Sequence, residues 1–507
     1  MKSLAVLRQI KEKIKPTNQG VTIYPNSARR TGCLIIGQPG AGKTRHLEGW
    51  IMNDILAGRG VGVFDLHGDL HRNLLYRLAA LVPRYPRLAG RLVVIDPTSP
   101  TDGVVSFNPL AAIEGMPLER VAAFMSDVII KIWNINPAES PRMAYLMTQS
   151  FLALADLELT LLDLPRFLHD RAWRNSLLPQ LTQAGVRTYF THEFPTSPGE
   201  IQTWVAPLLN KVSPLLFDRQ NRLLLAGNAK VNFRQILDEQ KILLVHLPKG
   251  IIGEEAASLL GALLVALIQK AALSRADRPD RPQFYLYLDE FQNVATTHIS
   301  DVLSESRKFG LTLILAHQFL AQVTNEELRS AVINTTGALI CFRIGYKDAR
   351  SLVADIFPCP TFLADQGVAS WEGLALELAN LPNRVYWLRR RGPFAPVRKA
   401  TREMPDPAVT PQIEANLARL LEISGRRYGR GKRELQQELA EMGASQPPSL
   451  TASQRRRYRK KQKPAGVNLA AESAMLGEHE QPSDGQADHL LAPTGGNGRG
   501  NLDELWN

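Results

Sequence analysis

The eight residues Gly37-Gln38-Pro39-Gly40-Ala41-Gly42-Lys43-Thr44 fit the pattern G-x-x-x-x-G-K-[ST] at every position. Their setting matters as much as the match. A short apolar run, Cys33–Ile36, comes before them, and a stretch of helical period reaching Leu56 comes after. A strand, a glycine-rich loop and a helix in that order let backbone N–H groups curl around phosphate oxygens at a helix N-terminus. In such a loop Lys43 reaches the β- and γ-phosphates of a nucleotide and the Thr44 hydroxyl ligates Mg²⁺. A glycine-rich turn that matches by chance is the competing reading, and the strand–loop–helix setting weighs against it.

The rest of the chain supplies a sheet to carry that loop. Apolar runs at residues 60–64 and 92–95 alternate with helical segments, which predicts a mainly parallel sheet covered on both faces, an α/β fold. After Phe107-Asn108-Pro109-Leu110 the character changes. Residues 118–133, 142–154 and 201–215 have helical period, breaks fall at Pro137, Pro165 and Pro195, and no strand pattern intervenes. The sheet resumes at residues 241–247, 284–288, 311–316, 338–344 and 385–388. The expected organisation is a first part of the sheet domain at residues 1–116, an inserted all-helical domain at 117–237 and a second part at 238–407. A helical basic segment follows at 408–442, with a disordered tail at 443–507. An additional strand is expected at residues 21–24.

Downstream, Phe284–Leu288 reads as a hydrophobic strand that ends in Asp289 and Glu290. Asp289 at the strand tip can hold Mg²⁺ through water. Glu290 can take a proton from an attacking water, the general-base role. That pair favours hydrolysis over phosphorylation of a small acceptor, which needs no water-activating carboxylate. Two solvated acids capping a strand end are the plainer alternative. Gln318 follows the strand at 311–316; an amide there can bond phosphate or water and sense hydrolysis, or be an ordinary polar strand end. Arg307 is a rigid cationic fork able to stabilise transition-state charge, or a helix-end arginine satisfying the last carbonyls.

Together these residues resemble the HerA/FtsK branch of RecA-like P-loop ATPases, and within it the TraG/TraD-type conjugative coupling proteins and their soluble relatives. The resemblance covers residues 21–407. It rests on the phosphate loop, on Asp65-Leu66-His67-Gly68-Asp69, on Phe107-Asn108-Pro109-Leu110, on Leu288-Asp289-Glu290-Phe291-Gln292, and on Arg307-Lys308-Phe309-Gly310 with Gln318. Relatives form homohexameric rings that pass DNA through a central channel. The resemblance implies ATP and Mg²⁺ as ligands, Arg307 entering the neighbouring subunit's site, and Gln318 sensing the γ-phosphate. An arginine before the loop, Arg29 or Arg30, would also reach the neighbour's nucleotide, and Arg343 is either a further site arginine or a structural ion pair. His67 and Asp69 are expected near the nucleotide, or as a satisfied loop pair. Two departures are plain. No pair of transmembrane helices precedes the sheet, and the first strand comes too early for the N-terminal β-barrel of HerA.

Charge adds a partner. The chain carries +11 overall. Residues 425–464 hold twelve Lys or Arg against three acids, whereas 465–507 hold one Arg against seven acids. The strips Arg426-Arg427-Tyr428-Gly429-Arg430-Gly431-Lys432-Arg433 and Arg455-Arg456-Arg457-Tyr458-Arg459-Lys460-Lys461 mix cations with a tyrosine able to stack, as nucleic-acid contacts do. A solvated tail or a lipid-binding strip has the same composition. Arg389-Arg390-Arg391 could face DNA or merely the surface. The most apolar window, residues 256–268, is too short to cross a bilayer and reads as a buried helix. Cys33, Cys341 and Cys359 lie far apart without metal-ligand spacing, which fits a reducing cytoplasm, and the short apolar window predicts no membrane insertion.

The expected activity is therefore ATP-driven translocation of DNA, single- or double-stranded, in conjugative or mobile-element transfer. A relaxase, secretion or nuclease partner would fix the setting. Phage packaging or nuclease-coupled defence and repair are alternative settings for the same motor. An ATP-switched assembly scaffold is the alternative of another class, and DNA-stimulated turnover would argue against it.

Overall fold

The computed structural model describes residues 31–444, apart from 134, 228–229, 295–302, 304, 319–325, 358–370 and 393. The expected strand at 21–24, Arg29, Arg30, Cys359 and the second basic strip lie outside the described residues.

The apolar runs become strands because each is buried on both faces, where β-branched and aromatic side chains pack well. They are Cys33–Ile36 (β1), Gly60–Asp65 (β2), Leu92–Ile95 (β3), Ile242–His246 (β5), Phe284–Leu288 (β6), Leu311–His317 (β7) and Ala338–Cys341 (β8). Val385–Arg390 (β9) and Val397–Ala400 (β10) extend one edge, giving the order β10-β9-β8-β1-β7-β6-β2-β5-β3. From β8 to β3 every pairing is parallel, while β8–β9 and β9–β10 are antiparallel. Gly103–Val104 (β4) and Arg430–Gly431 (β11) form a separate antiparallel pair. The mainly parallel α/β sheet is the one the sequence predicts.

Alternation along β1 shows how the layers are built. Cys33 and Ile35 join a buried cluster with Leu47 and Ile51 of helix Lys43–Leu56 and with Leu70, Leu74 and Leu78 of helix Asp69–Leu81. Leu34 and Ile36 join a second cluster on the other face. That cluster runs through Leu260 and Leu264 of helix Glu254–Leu273 and on to Met147 and Phe151 of helix Pro141–Asp156. The helices between β4 and β5 therefore share one continuous core with the sheet, and the described residues form one compact unit. Helix Glu254–Leu273 belongs to a helical run long and apolar enough to cross a membrane, but 89% of its apolar window is buried inside the protein.

The C-terminal basic segment is also tied to this unit. Helix Pro411–Tyr428 begins where the Thr410 hydroxyl accepts from the Ile413 N–H. It then lies along helix Asp69–Leu81, where Asn416 donates to the Ala79 carbonyl at 3.1 Å, and Ser424 Oγ accepts from the Val94 N–H at 3.1 Å. At its end Gly425 meets Gly103 so closely that a Cβ on Gly103 would sit 2.6 Å from the Gly425 Cα. Only glycine permits that approach. Tyr428, Leu435 and Leu439 are buried in the shared core.

Candidate nucleotide site

In a parallel sheet with helices on both faces, ligand sites form outside the carboxyl ends of the strands. Here the carboxyl ends of β1, β7, β6 and β2 lie side by side, with Ile36 opposite His317, and Leu288 opposite both Phe64 and Leu315. The loop Gly37–Thr44 leaves β1 at this edge. The Gly37 N–H donates to the His317 carbonyl at 3.2 Å, and the Gln38 N–H donates to the Arg343 carbonyl at 2.8 Å. Gly42 has φ 111°, a conformation L side chains rarely adopt, and a Cβ there would lie 3.3 Å from the Arg384 Cα. Helix Lys43–Leu56 starts directly after it. Among the described residues, nothing accepts from the backbone N–H groups of Gly40, Gly42, Lys43 or Thr44. Unbonded amides at the positive end of a helix fit the oxygens of a phosphate. Pro39 and Gly40 are exposed at the tip, while Ala41 is buried at its base.

Lys43 is 5% exposed and donates to the carbonyl oxygens of Gly37 and Gln38. Burial lowers its pKa, against the pull of Glu290 and Asp289. Asp289 follows β6 directly, and its N–H donates to the Phe64 carbonyl at 3.2 Å. Its pKa is raised to about 7 by burial, then by the neighbouring carboxylates of Glu290 and Asp65, with Lys43 opposing. Two carboxylates beside one ammonium, with Asp65 close to Asp289, suit a divalent cation with oxygen ligands, and Asp289 with the Thr44 hydroxyl would hold it.

Glu290 is the most tightly held of the site residues. It is 5% exposed and adopts φ 50°, an unfavourable backbone for a non-glycine residue. Its side-chain oxygens accept from two amides: Gln318 Nε2 on Oε1, and Gln292 Nε2 at 2.9 Å on Oε2. The side-chain Oε1 of Gln292 in turn lies 2.8 Å from Nδ1 of the buried His317. The carboxylate is thus fixed at the tip of β6 by a polar chain from the tip of β7. Gln318 touches Glu290 directly, a contact its sequence reading does not include. The roles of Gln292 and His317 escape a reading by motif, although both residues stand inside the segments that carry it.

The segment after β2 divides differently from its sequence reading. Asp65 accepts from the N–H groups of His67, Gly68 and His71 at 2.8, 2.9 and 2.8 Å, and so caps helix Asp69–Leu81. His67 and Asp69 are exposed, and Asp69 faces Arg72 at 3.6 Å, while Asp65 adds its charge to that around Asp289. Arg343 stands beside the loop, half-buried, with its carbonyl on Gln38. Arg307 does not join the same chain's site. It is exposed in the short 3₁₀ turn Ser306–Phe309 at the amino end of β7, across the sheet from Glu290, and makes no ion pair among the described residues.

Solved structures share this arrangement of elements. The plasmid coupling protein TrwB in complex with a non-hydrolysable GTP analogue superposes with a TM-score of 0.56 at 14% identity, over 80% of this chain and 94% of that one. TrwB with ADP and Mg²⁺ gives a TM-score of 0.53 at 14% identity, over the same shares of the two chains. The chain has the coupling-protein fold. No protein-family model matches it. An uncharacterized protein of Mycoplasma pneumoniae is 30% identical over 91 residues, 17% of this chain, and the match spans 60% of that relative's length. The coupling-protein fold accounts for the parallel sheet; what the site does follows from its own residues.

Proposed function

We propose that this chain is a DNA-translocating ATPase of the coupling-protein type, working as a homohexamer in conjugative or other mobile-element transfer. The observation that carries the reading is Glu290: a buried carboxylate in a strained backbone, clamped by two amides beside Lys43 and Asp289. ATP with Mg²⁺ is the ligand that the free amides of the loop and the neighbouring carboxylates fit best. The metal ion, held by Thr44 and Asp289, would neutralise charge on the phosphate oxygens. Lys43 and the amides of Gly40, Gly42, Lys43 and Thr44 position the γ-phosphoryl group. Glu290 Oε orients water and takes its proton as the water oxygen attacks the γ-phosphorus, and the bond to the β,γ-bridging oxygen breaks to release ADP and phosphate. Gln318 and Gln292 hold that carboxylate in place. Arg307, exposed at the far edge of the sheet, supports the reading that it serves a neighbouring subunit. DNA is the cargo that the basic charge and the fold suggest.

The test is Glu290→Gln. The amide keeps the shape but cannot accept the proton, so ATP binding should persist while hydrolysis falls by ~10² or more. Lys43→Ala should lose binding as well. Hydrolysis by Glu290→Gln at the parental rate would refute the assignment of the base, and turnover indifferent to added DNA would refute the motor.

A further inference from the structure

Two strands beyond the nucleotide site, the same carboxyl edge of the sheet carries a second cluster. His246 is the last residue of β5, Asp96 follows β3, and His71 stands in the first turn of helix Asp69–Leu81. One nitrogen from each imidazole and one carboxylate oxygen all lie within 4.8 Å of one another. His246 Nδ1 is 3.1 Å from Asp96 Oδ2, and His71 Nε2 is 3.8 Å from the same oxygen. The two rings are stacked, with centroids 4.9 Å apart and planes 20° from parallel.

A hydrogen-bonded His–Asp pair explains the first distance and leaves the second unexplained, since 3.8 Å is too long for a hydrogen bond. A tetrahedral ion with nitrogen and oxygen ligands at about 2.0–2.1 Å places its ligands about 3.4 Å from each other, between the two observed spacings. The surroundings hold the ligands in place. Asp96 Oδ1 accepts from the Thr98 N–H at 2.7 Å and the Thr98 hydroxyl at 2.6 Å, which leaves Oδ2 directed at the histidines. The backbone N–H of His71 is held by Asp65 at 2.8 Å. Residue 68 is glycine, and a Cβ there would lie 2.9 Å from His246 Nε2. His71 is 5% exposed, while the side chains of His246 and Asp96 are 15% and 12% exposed, so the open side of the trio faces solvent through those two.

We propose that His71, Asp96 and His246 form a site for a zinc-class divalent ion, with water completing a four-coordinate shell. Two neutral imidazoles and one carboxylate suit zinc or cobalt, and offer too few oxygens for magnesium or calcium. The site is separate from the nucleotide loop, and it ties helix Asp69–Leu81 to β3 and β5. Asp65 links the two places, because it caps that helix and also stands among the carboxylates around Asp289.

The experiment uses the full chain stripped with a chelator, without nucleotide, and titrated with CoCl₂ and then ZnCl₂. One equivalent of Co²⁺ should give the intense visible absorption of a four-coordinate ion, and Zn²⁺ should bleach it. His246→Ala and Asp96→Asn should each weaken binding by ~100-fold or more, the second with little change of shape. Asp289→Asn, which removes a carboxylate of the nucleotide site, should bind cobalt as the parent does. That control separates failure of this site from failure of the nucleotide reading. A spectrum of six-coordinate cobalt, no saturable binding, or binding undiminished in folded Asp96→Asn would each overturn the proposal.

Discussion

Lys270 offers the sharpest quantitative check on how the helical layer meets the sheet domain. It lies within the core helix Glu254–Leu273 with no exposed surface. Its ammonium is 3.5 Å from the Val121 carbonyl and 5.4 Å from the centre of the Phe124 ring, both on helix Leu118–Ile132. Burial alone drives its pKa from 10.5 down to about 7. The unfolded chain therefore binds a proton between pH 7 and 10.5 that the folded chain does not, so this residue costs stability below pH 10.5 and the cost is largest below 7. A depression of this size is worth about 4 kcal/mol at pH 7, falling to about 1 kcal/mol at pH 9.5. Methionine has a similar length, no charge, and a thioether that fits beside Phe124. Lys270→Met should accordingly raise stability at pH 7 by a few kcal/mol, and the gap should close as pH rises to 9.5. Urea unfolding of both proteins at the two pH values reads it directly. A destabilised variant at pH 7, or a gap independent of pH, would refute the account.

Other expectations follow from the same geometry. Arg307→Ala should bind ATP normally and hydrolyse it ~10³-fold more slowly, and mixing it with Glu290→Gln should recover activity, because only mixed rings unite an intact base with an intact arginine. No recovery when subunit exchange is demonstrated would place Arg307 outside a neighbour's site. Gln292→Ala should lower kcat with little change in ATP affinity, since it frees one oxygen of Glu290 without touching the loop; equal loss of binding would contradict this. Truncation after Ala444 should spare folding and basal ATPase but flatten the salt dependence of DNA affinity, measured by anisotropy, and an unchanged slope would remove the tail from the DNA contact. Gly103→Val should cost stability by forcing Gly425 away, seen as a lowered Tm.

The parallel strands were readable because each is a run of apolar residues between a helical segment and a polar turn. The short strands were not. Residues 397–400, Val-Arg-Lys-Ala, alternate poorly and sit at an edge, where register with Val385–Arg390 decides their state. The two-residue pair at Gly103 and Arg430 exists only because Gly425 and Gly103 can touch. Within the site, the phosphate loop and the Asp289-Glu290 tip stand out by residue type and spacing. The clamp of Gln292, Gln318 and His317 does not, because amides and imidazoles acquire a role only when a fold brings two strand tips together. Net charge along the chain also overstates the free cations of the first basic strip. Arg430 contacts Glu434 and Glu438, and Arg426 contacts Glu422, so the first basic strip is partly neutralised within the protein.

One strand has a part in two events at once. β7 is buried along all seven residues between β1 and β6 and spans about 20 Å. Arg307 precedes its amino end, and Gln318, gripping Glu290, follows its carboxyl end. In a ring that places Arg307 against the next subunit, each such strand spans from one catalytic centre to another. A shift of the arginine as a neighbour's phosphate departs would reach the amide that aims the general base through one short turn and this strand. The base of one site and the arginine offered to the next would then be joined by a single buried strand.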